Sequence, residues 1–297
     1  MKTSPHSKDV YQIITDLIIE KLEQGVIPWR KPWNDYGPAV NYLSRKSYRG
    51  INQLILNGIH VRPFYLTFKQ AKDLGGRIKK GSKSIPVTYW NFVYKDKETN
   101  RKLSVEEIQA YPTSQVVKTA FLKYYRVFNI DDVQHVTFDI PELNPACENY
   151  SIENCDAILF EMKNRPEIRH KENQAFYNPL YDYINMPPIE MFKTAELYYS
   201  ILHHELIHSV GHPKRLNRFE GDEVNAFNSS NYKEELTAEI GAAFLNGHTG
   251  ILNDATLKDS SGYIQGWLNK LKNDKKFIIE ASAKAQKAVD YILNKGG

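Results

Sequence analysis

The sequence has very little cysteine, with only Cys147 and Cys155 among its 297 residues. Two cysteines cannot form the disulfide framework of a small secreted domain or a four-thiolate zinc knuckle. No run of eighteen apolar residues is present either, so the sequence predicts no membrane-spanning helix and no membrane partner. The first residues lack the apolar stretch of a signal peptide. We therefore expect a soluble protein, and the reduced cytoplasm is its simplest compartment.

Acidic residues are scarce in one part of the chain. Residues 28–83 contain 12 Lys and Arg but only 2 Asp and Glu. Residues 1–135 carry a net charge of +10 and the remainder carry −6, so the total of +4 hides an asymmetry. This asymmetry indicates two domains with different partners.

The segment 139–155 lacks apolar periodicity. We therefore predict an α+β fold with a small basic domain at 1–138, a linker at 139–155 and a second domain at 156–297.

Cations alternate with aromatic side chains in the basic half. Lys and Arg neutralise phosphates and aromatic rings stack on bases, so this pattern is typical of proteins that bind single-stranded nucleic acid. A solvated basic face and a patch for an acidic protein are the alternatives, and a tryptophan is often simply packed in a core. The candidate DNA contacts are Trp29, Arg30, Lys31, Trp33, Arg45, Lys46, Tyr48, Arg49, Lys69, Arg77, Lys79, Lys80 and Lys83.

The motif His204-Glu205-Leu206-Ile207-His208 has the composition of a metal site. Residues four apart share a helix face, so His204 and His208 can present their imidazoles to one point. Catalytic Zn²⁺ sites take three protein ligands and leave one position for water, and Glu205 is placed to accept a proton from that water. The flanking sequence predicts a helix over 195–210, capped by Thr194 and ended by Gly211.

A second helical pattern, over 232–245, offers a third ligand. Glu235 and Glu239 are four residues apart and share a face. We predict that Glu235 is the ligand and that Glu239 holds a ligand histidine by its free ring nitrogen. The reverse assignment stays open, and a solvated acidic face without a metal is the plain alternative. The third histidine of metzincins is absent, because Lys214 stands at that position.

The apolar periodicity predicts the remaining elements. Helices are expected at 10–22, 68–74, 262–268 and 277–293, and strands at 63–66, 85–94 and 121–128. The polar stretch 95–114 is expected to be a loop with a short helix. A hairpin over 174–186 precedes the His204 helix, where its edge strand could pair with an extended peptide.

The chain resembles the ArdC family of plasmid-borne antirestriction proteins over nearly its whole length. The first half carries Pro28-Trp29 with Pro32-Trp33, Tyr48-Arg49-Gly50-Ile51-Asn52, Leu66-Thr67-Phe68-Lys69-Gln70-Ala71 and Val127-Phe128-Asn129. The second half carries Ala175-Phe176-Tyr177, His204-Glu205-Leu206-Ile207-His208, Arg215-Leu216-Asn217-Arg218, Glu234-Glu235-Leu236-Thr237-Ala238-Glu239 and Trp267-Leu268-Asn269-Lys270-Leu271.

This resemblance implies an N-terminal domain that binds single-stranded DNA without sequence preference and a C-terminal zincin-like metallopeptidase domain. It also implies protection of incoming plasmid DNA during conjugation, with a protein substrate or a restriction enzyme as a further partner. Two other functions stay open. One is a DNA-directed zinc metalloprotease that removes proteins from DNA. The other is a binding module with a structural metal, which Glu205 argues against because such a site needs no general base.

Overall fold

The computed structural model of the protein describes residues 9–30, 37–56, 59–140, 151–219, 232–251 and 260–295. Two of the predicted DNA contacts, Lys31 and Trp33, lie outside these ranges, and so does the side chain of Arg30. None of the described helices is both long enough and apolar enough to cross a membrane.

The described part of the first half contains four helices and six strands. Its helices are α1 (Val10–Glu23), α2 (Ile51–Leu56), α3 (Phe68–Asp73) and α4 (Val105–Ala110). Its strands are β1 (Val40–Asn41), β2 (Phe64–Thr67), β3 (Arg77–Ile78), β4 (Ile85–Asp96), β5 (Val116–Asn129) and β6 (Val133–Gln134). The cap that starts α3 is reciprocal, because Thr67 accepts from the Gln70 amide and Gln70 accepts from the Thr67 amide.

The main sheet of this half has the strand order β1-β2-β5-β4. The β4 and β5 strands pair antiparallel over their whole common length, from Ile85↔Val127 to Asp96↔Val116. In contrast, β2 pairs only with the last three residues of β5, from Val127 to Asn129. Residues 85–96 and 116–126 therefore form a two-stranded ribbon that extends past the rest of the sheet. We call it the β4–β5 ribbon.

The second half consists mainly of helices around a small sheet. Its helices are α5 (Ser151–Glu161), α6 (Ala195–Val210), α7 (Tyr232–Thr249), α8 (Ser260–Asn273) and α9 (Phe277–Ile292). Its strands are β7 (Glu167–Arg169), β8 (Phe176–Asn178) and β9 (Tyr183–Asn185), in the order β7-β9-β8. The β8 strand is therefore an edge strand, and it contacts α6.

One apolar core joins the two halves of the chain. Ile14 and Ile18 of α1 and Ile55 of α2 belong to the same buried cluster as residues of α6, α7 and α9. Trp29 is 3% exposed and packs edge-to-face on Trp267 of α8, with ring centroids 5.1 Å apart. The turn at Pro28–Arg30 also contacts α7. The first segment of the chain thus supports the helices of the second half.

The predicted helices and strands agree with the structure, and a helix that was not predicted overlaps the end of the segment 139–155. Helix α5 begins at Ser151, and Cys155 is fully buried in the shared core. A reading of periodicity misses this helix because its N-terminal turn is polar. Residues 141–150 lie outside the described ranges.

The shared core generates a prediction about stability. Trp29→Ala removes a buried indole from the contact with Trp267 and should lower the free energy of unfolding by about 3–5 kcal/mol. Trp90→Ala is the matched control, because the Trp90 side chain is 47% exposed. It should change stability by less than about 1 kcal/mol. Urea denaturation of the full chain measures both, and equal effects of the two substitutions would contradict the shared core.

Candidate metal centre

The helix that carries the two histidines is held in place by its ends and by its burial. Thr194 accepts a hydrogen bond from the Leu197 amide at 3.2 Å and caps the start of α6. The helix ends at Val210, and the next residue, Gly211, packs so closely on the Phe219 ring that a Cβ atom would lie 2.2 Å from it. Buried side chains cover most of the circumference of α6. The imidazoles therefore project into the protein from a rigid element.

A glycine lets the second helix approach α6 closely. A Cβ atom on Gly241 of α7 would lie 2.7 Å from the Ile207 side chain of α6, so no larger residue fits without a shift. Helix α7 packs along α6. Gly241 follows the glutamates of the first turns of α7 and precedes the apolar C-terminal part of that helix. This approach places Glu235 beside the histidines.

Three predicted side chains meet at one point. The Nε2 atoms of His204 and His208 lie 3.1 Å apart. The Glu235 carboxylate lies 3.6 Å from Nε2 of His204 and 3.7 Å from Nε2 of His208. Ligands about 2.1 Å from a tetrahedral zinc ion are about 3.4 Å from one another. The three donor groups therefore have both the chemistry and the spacing that a tetrahedral metal ion requires, and the described residues contain no other such cluster.

Glu234, which was not predicted from the sequence, orients His208. Its Oε1 atom accepts a hydrogen bond from Nδ1 of His208 at 3.1 Å, which leaves Nε2 free to face the site. Arg218 donates to both Glu234 oxygens, at 2.5 and 3.0 Å, and to the Ile207 carbonyl at 2.7 Å. Burial raises the pKa of Glu234, but Arg218 and His208 outweigh it and lower the pKa to about 2. The carboxylate is therefore ionised.

Two features of the sequence could have indicated that Glu234 supports the site. Glu234 directly precedes Glu235, and two arginines, Arg215 and Arg218, follow α6. Arg218 was visible only as part of a family motif. The sequence alone did not indicate that Arg218 and Glu234 pair, because they lie 16 residues apart on different segments.

Glu239, which was predicted to hold a ligand histidine, lies near His204. Its Oε1 atom is 4.0 Å from Nδ1 of His204, which is longer than a hydrogen bond. Burial lowers the pKa of His204, but Glu235, Glu205 and Glu239 outweigh it and raise the pKa to about 9. Glu205 is buried on α6 between the two histidines. The site is thus rich in negative charge, as a site for a cation must be.

A second ionic cluster attaches the β8–β9 hairpin to the end of α6. The fully buried Arg215 side chain pairs with Asp182 and donates to the Ser209 carbonyl at 2.7 Å. Tyr177 donates to the Asp182 carboxylate at 2.9 Å and accepts from Arg215 at 3.2 Å. These bonds hold the edge strand β8 at the C-terminal end of the helix that carries the histidines.

The predicted DNA contacts lie in different environments. Trp29 and Tyr48 are 3% and 7% exposed, so neither offers an open ring face to a base, and packing in the core explains both. Arg49 is exposed but pairs with Asp290 of α9. The other described cations are exposed on α3, on β3 and on the segments between elements, namely Arg45, Lys46, Lys69, Arg77, Lys79, Lys80 and Lys83.

Comparison with protein families matches two different models to the two halves of the chain. Residues 8–128 match the N-terminal domain of the anti-restriction factor ArdC, and residues 153–284 match a zincin-like metallopeptidase. A DNA primase TraC of Escherichia coli is 32% identical over 299 residues, which cover 96% of this chain and 27% of that protein. The chain therefore spans about a quarter of the length of this relative. The uncharacterized protein y4eC of Sinorhizobium fredii is 30% identical, over 98% of this chain and 94% of that protein.

Two solved structures have the same fold. They are the metal-free and the Mn(II)-bound crystal structures of the antirestriction ArdC protein from plasmid R388. They are 34% and 33% identical to this chain, each with a TM-score of 0.73, and the match covers 96% of this chain and 97% of each of them. A zincin-like domain of this kind implies a metal ion.

The buried ion pair beside the site generates a second prediction. Arg218→Met leaves the Glu234 carboxylate buried without its main partner, and it should destabilise the protein by about 3–5 kcal/mol. The double variant Arg218→Met with Glu234→Gln removes the unpaired charge as well and should recover part of this loss. Lys272→Met is the control, since its pair with Glu23 is about half exposed, and should cost at most about 1 kcal/mol. Chemical denaturation gives all three values. A cost for Arg218→Met as small as that of the control would contradict the assignment.

Proposed function

We propose, because the chain belongs to the ArdC family of antirestriction proteins, that it binds single-stranded DNA without sequence preference and protects incoming plasmid DNA during conjugation. We also propose that its second half carries a zinc-dependent peptidase site. The observation that supports this part is the convergence of the donor atoms of His204, His208 and Glu235.

The three residues would hold the metal, and their chemistry favours zinc. Two imidazoles and one carboxylate are a usual ligand set for catalytic zinc, whereas Mn²⁺ prefers oxygen ligands. One related structure is described as Mn(II)-bound, so elemental analysis should compare the zinc and manganese contents of this chain, and we expect zinc. Glu234 and Glu239 would orient His208 and His204 from the side away from the metal.

Glu205 would act as the general base. A zinc ion in this site would supply a Lewis acid that polarises water and a peptide carbonyl. Glu205 lies on α6 between the two ligand histidines, where its carboxylate can take a proton from the attacking water and pass it to the leaving amine. β8 is the edge strand of the described sheet and contacts α6, so its outer edge is a suitable place for an extended peptide to pair as an additional strand.

The basic half would supply the contacts to DNA. Of the predicted DNA contacts between positions 45 and 83, Tyr48 is buried and Arg49 pairs with Asp290. The other seven are exposed cations. Contacts of this kind bind phosphates and carry no sequence information. A protein substrate or a restriction enzyme would be the further partner.

A DNA-directed metalloprotease that removes proteins from DNA is the second candidate function. It is favoured by the shared core, because the same helices support both the basic half and the candidate metal centre. A cleavage assay on a DNA-bound protein, with and without single-stranded DNA, separates the two functions. Only the second requires that DNA stimulate proteolysis.

Substitutions in the His204–His208 motif should separate metal binding from catalysis. Glu205→Gln keeps all three ligands, so the protein should retain one zinc per chain while peptidase activity falls by a factor of about a hundred or more. His204→Ala removes a ligand and should lose zinc and lower the melting temperature. Elemental analysis, thermal melting and a peptide-cleavage assay on purified full chains measure these effects. Full proteolysis by Glu205→Gln would refute the proposed mechanism.

DNA binding should depend on the exposed cations and on salt. Replacing Arg45, Lys46 and Lys69 together with alanine should weaken binding to all single strands alike and reduce the salt dependence of the affinity, because fewer counterions are released. Lys284→Ala with Lys287→Ala is the matched control, since both are exposed cations of α9. Fluorescence anisotropy at several salt concentrations gives the slopes. An affinity that does not change with salt would rule out phosphate binding by these residues.

A further inference from the structure

The β4–β5 ribbon exposes several large aromatic side chains. From Val116 to Arg126, β5 pairs with β4 alone, so no third strand of the described residues extends this part of the sheet. Trp90 and Phe92 of β4 are 47% and 42% exposed, and Tyr124 of β5 is 38% exposed. Side chains of this size are usually buried, and a group of them on one element marks a contact surface.

Strand register places the rings of β4 on one face. Every second residue of a strand points to the same side, so Trp90, Phe92 and Tyr94 share a face. Their cross-strand partners are Leu122, Ala120 and Lys118. Ala120 is small, so the cross-strand neighbour of Phe92 does not cover its ring. We call the side chains of Trp90, Phe92, Tyr94, Lys118 and Tyr124 the ring face of the ribbon.

Cations lie directly on these rings. The Lys118 ammonium is 4.1 Å from the Phe92 centroid and 5.7 Å from that of Tyr94, and the Arg126 guanidinium is 5.8 Å from the Tyr124 centroid. Among the described residues, neither Lys118 nor Arg126 forms an ion pair with a carboxylate. Their charges therefore remain available to an anionic partner.

The ribbon presents almost no negative charge to such a partner. The acidic residue of its strands is Asp96, which is buried and accepts hydrogen bonds from the Thr99 amide at 2.6 Å and the Thr99 hydroxyl at 2.7 Å. Exposed rings combined with cations that pair with no carboxylate among the described residues fit a polymer of flat bases and phosphates. An apolar protein surface would fit the rings but would leave the cations without partners.

The opposite face of the ribbon is less suited to stacking. There Tyr89 and Tyr125 pack on each other, with ring centroids 5.9 Å apart, so each covers part of the other. Their exposed fractions of 43% and 38% are nevertheless similar to those on the ring face. These two tyrosines therefore provide an internal control of equal accessibility.

We infer that single-stranded DNA binds along the ring face, with bases stacked on Trp90 and Phe92 and phosphates near Lys118 and Arg126. This inference rests on the proposed DNA binding and assigns it to a surface that none of the predicted contacts at 45–83 includes. The turns at 45–83 would add phosphate contacts, whereas the ring face would provide the preference for unpaired bases, since a duplex offers no free base faces.

The test compares the two faces of the ribbon in the full chain. The probe is a fluorescein-labelled oligo-dT of roughly 20 nucleotides, longer than a typical single-strand site. Trp90→Ala with Phe92→Ala should weaken binding by about tenfold or more, because each base–ring stack contributes a factor of about five to a hundred. Tyr89→Ala with Tyr125→Ala should stay within about threefold of the wild type. Thermal melting and zinc content should not change in either variant.

Two further variants probe single contacts. Lys118→Gln should reduce the slope of log affinity against log salt by about one, as expected for one lost phosphate contact. Trp90→Phe keeps an aromatic ring and most of the affinity, but the quench of tryptophan fluorescence on binding should shrink. Trp29 and Trp267 are buried, and Trp33 is the same in both proteins, so the difference between them reports on Trp90. An unchanged quench would contradict stacking on Trp90.

The outcomes distinguish this inference from the proposed function. If the wild type binds single strands and the Trp90→Ala with Phe92→Ala variant binds equally well, the ring face is wrong while the proposed function stands. If both double variants lose the same amount of DNA affinity, the assignment of binding to the ring face is wrong. If the wild type binds neither single strands nor duplex, the proposed DNA binding itself fails, and the inference fails with it.

Discussion

The close approach of α6 and α7 is the constraint on which the candidate metal centre depends. It requires a residue without a side chain at Gly241, where the Ile207 side chain fills the space that a Cβ atom would take. The approach brings a carboxylate from one helix within 4 Å of two imidazoles from the other. It also buries charge, and Arg218 offsets this cost by pairing with Glu234. Packing and electrostatics are thus coupled at this helix pair.

The shared core gives the two halves a common support. Helix α1, Trp29 and α2 pack against α7, α8 and α9, while Arg49 and Gly50 bond to side chains of α9. The basic half is therefore not attached only through the segment around 141–150. The shared core is therefore a physical route by which the proposed DNA binding and the proposed peptidase site would influence each other.

Much of the architecture could be predicted from local patterns. Helix α6 was predicted with both ends, because Thr194 and Gly211 mark them, and the histidine spacing follows from the helical repeat. Glu235 could be proposed as a third ligand, but spacing alone could not separate it from Glu239. The distances favour Glu235, since its carboxylate lies 3.6 and 3.7 Å from Nε2 of the two histidines, whereas Glu239 lies 4.0 Å from Nδ1 of His204.

The sequence by itself determined the elements, the charge asymmetry and the pair of histidines, because these depend on neighbours within a few residues. Only the tertiary structure decided which charged groups meet and which rings are exposed. Trp29 and Trp90 both have cationic or aromatic residues near them in the sequence. Trp29 is nevertheless buried, whereas Trp90 is 47% exposed. The difference comes from packing between distant segments, since α8 covers Trp29 and, among the described residues, no further strand flanks the β4–β5 ribbon. Composition cannot encode such contacts.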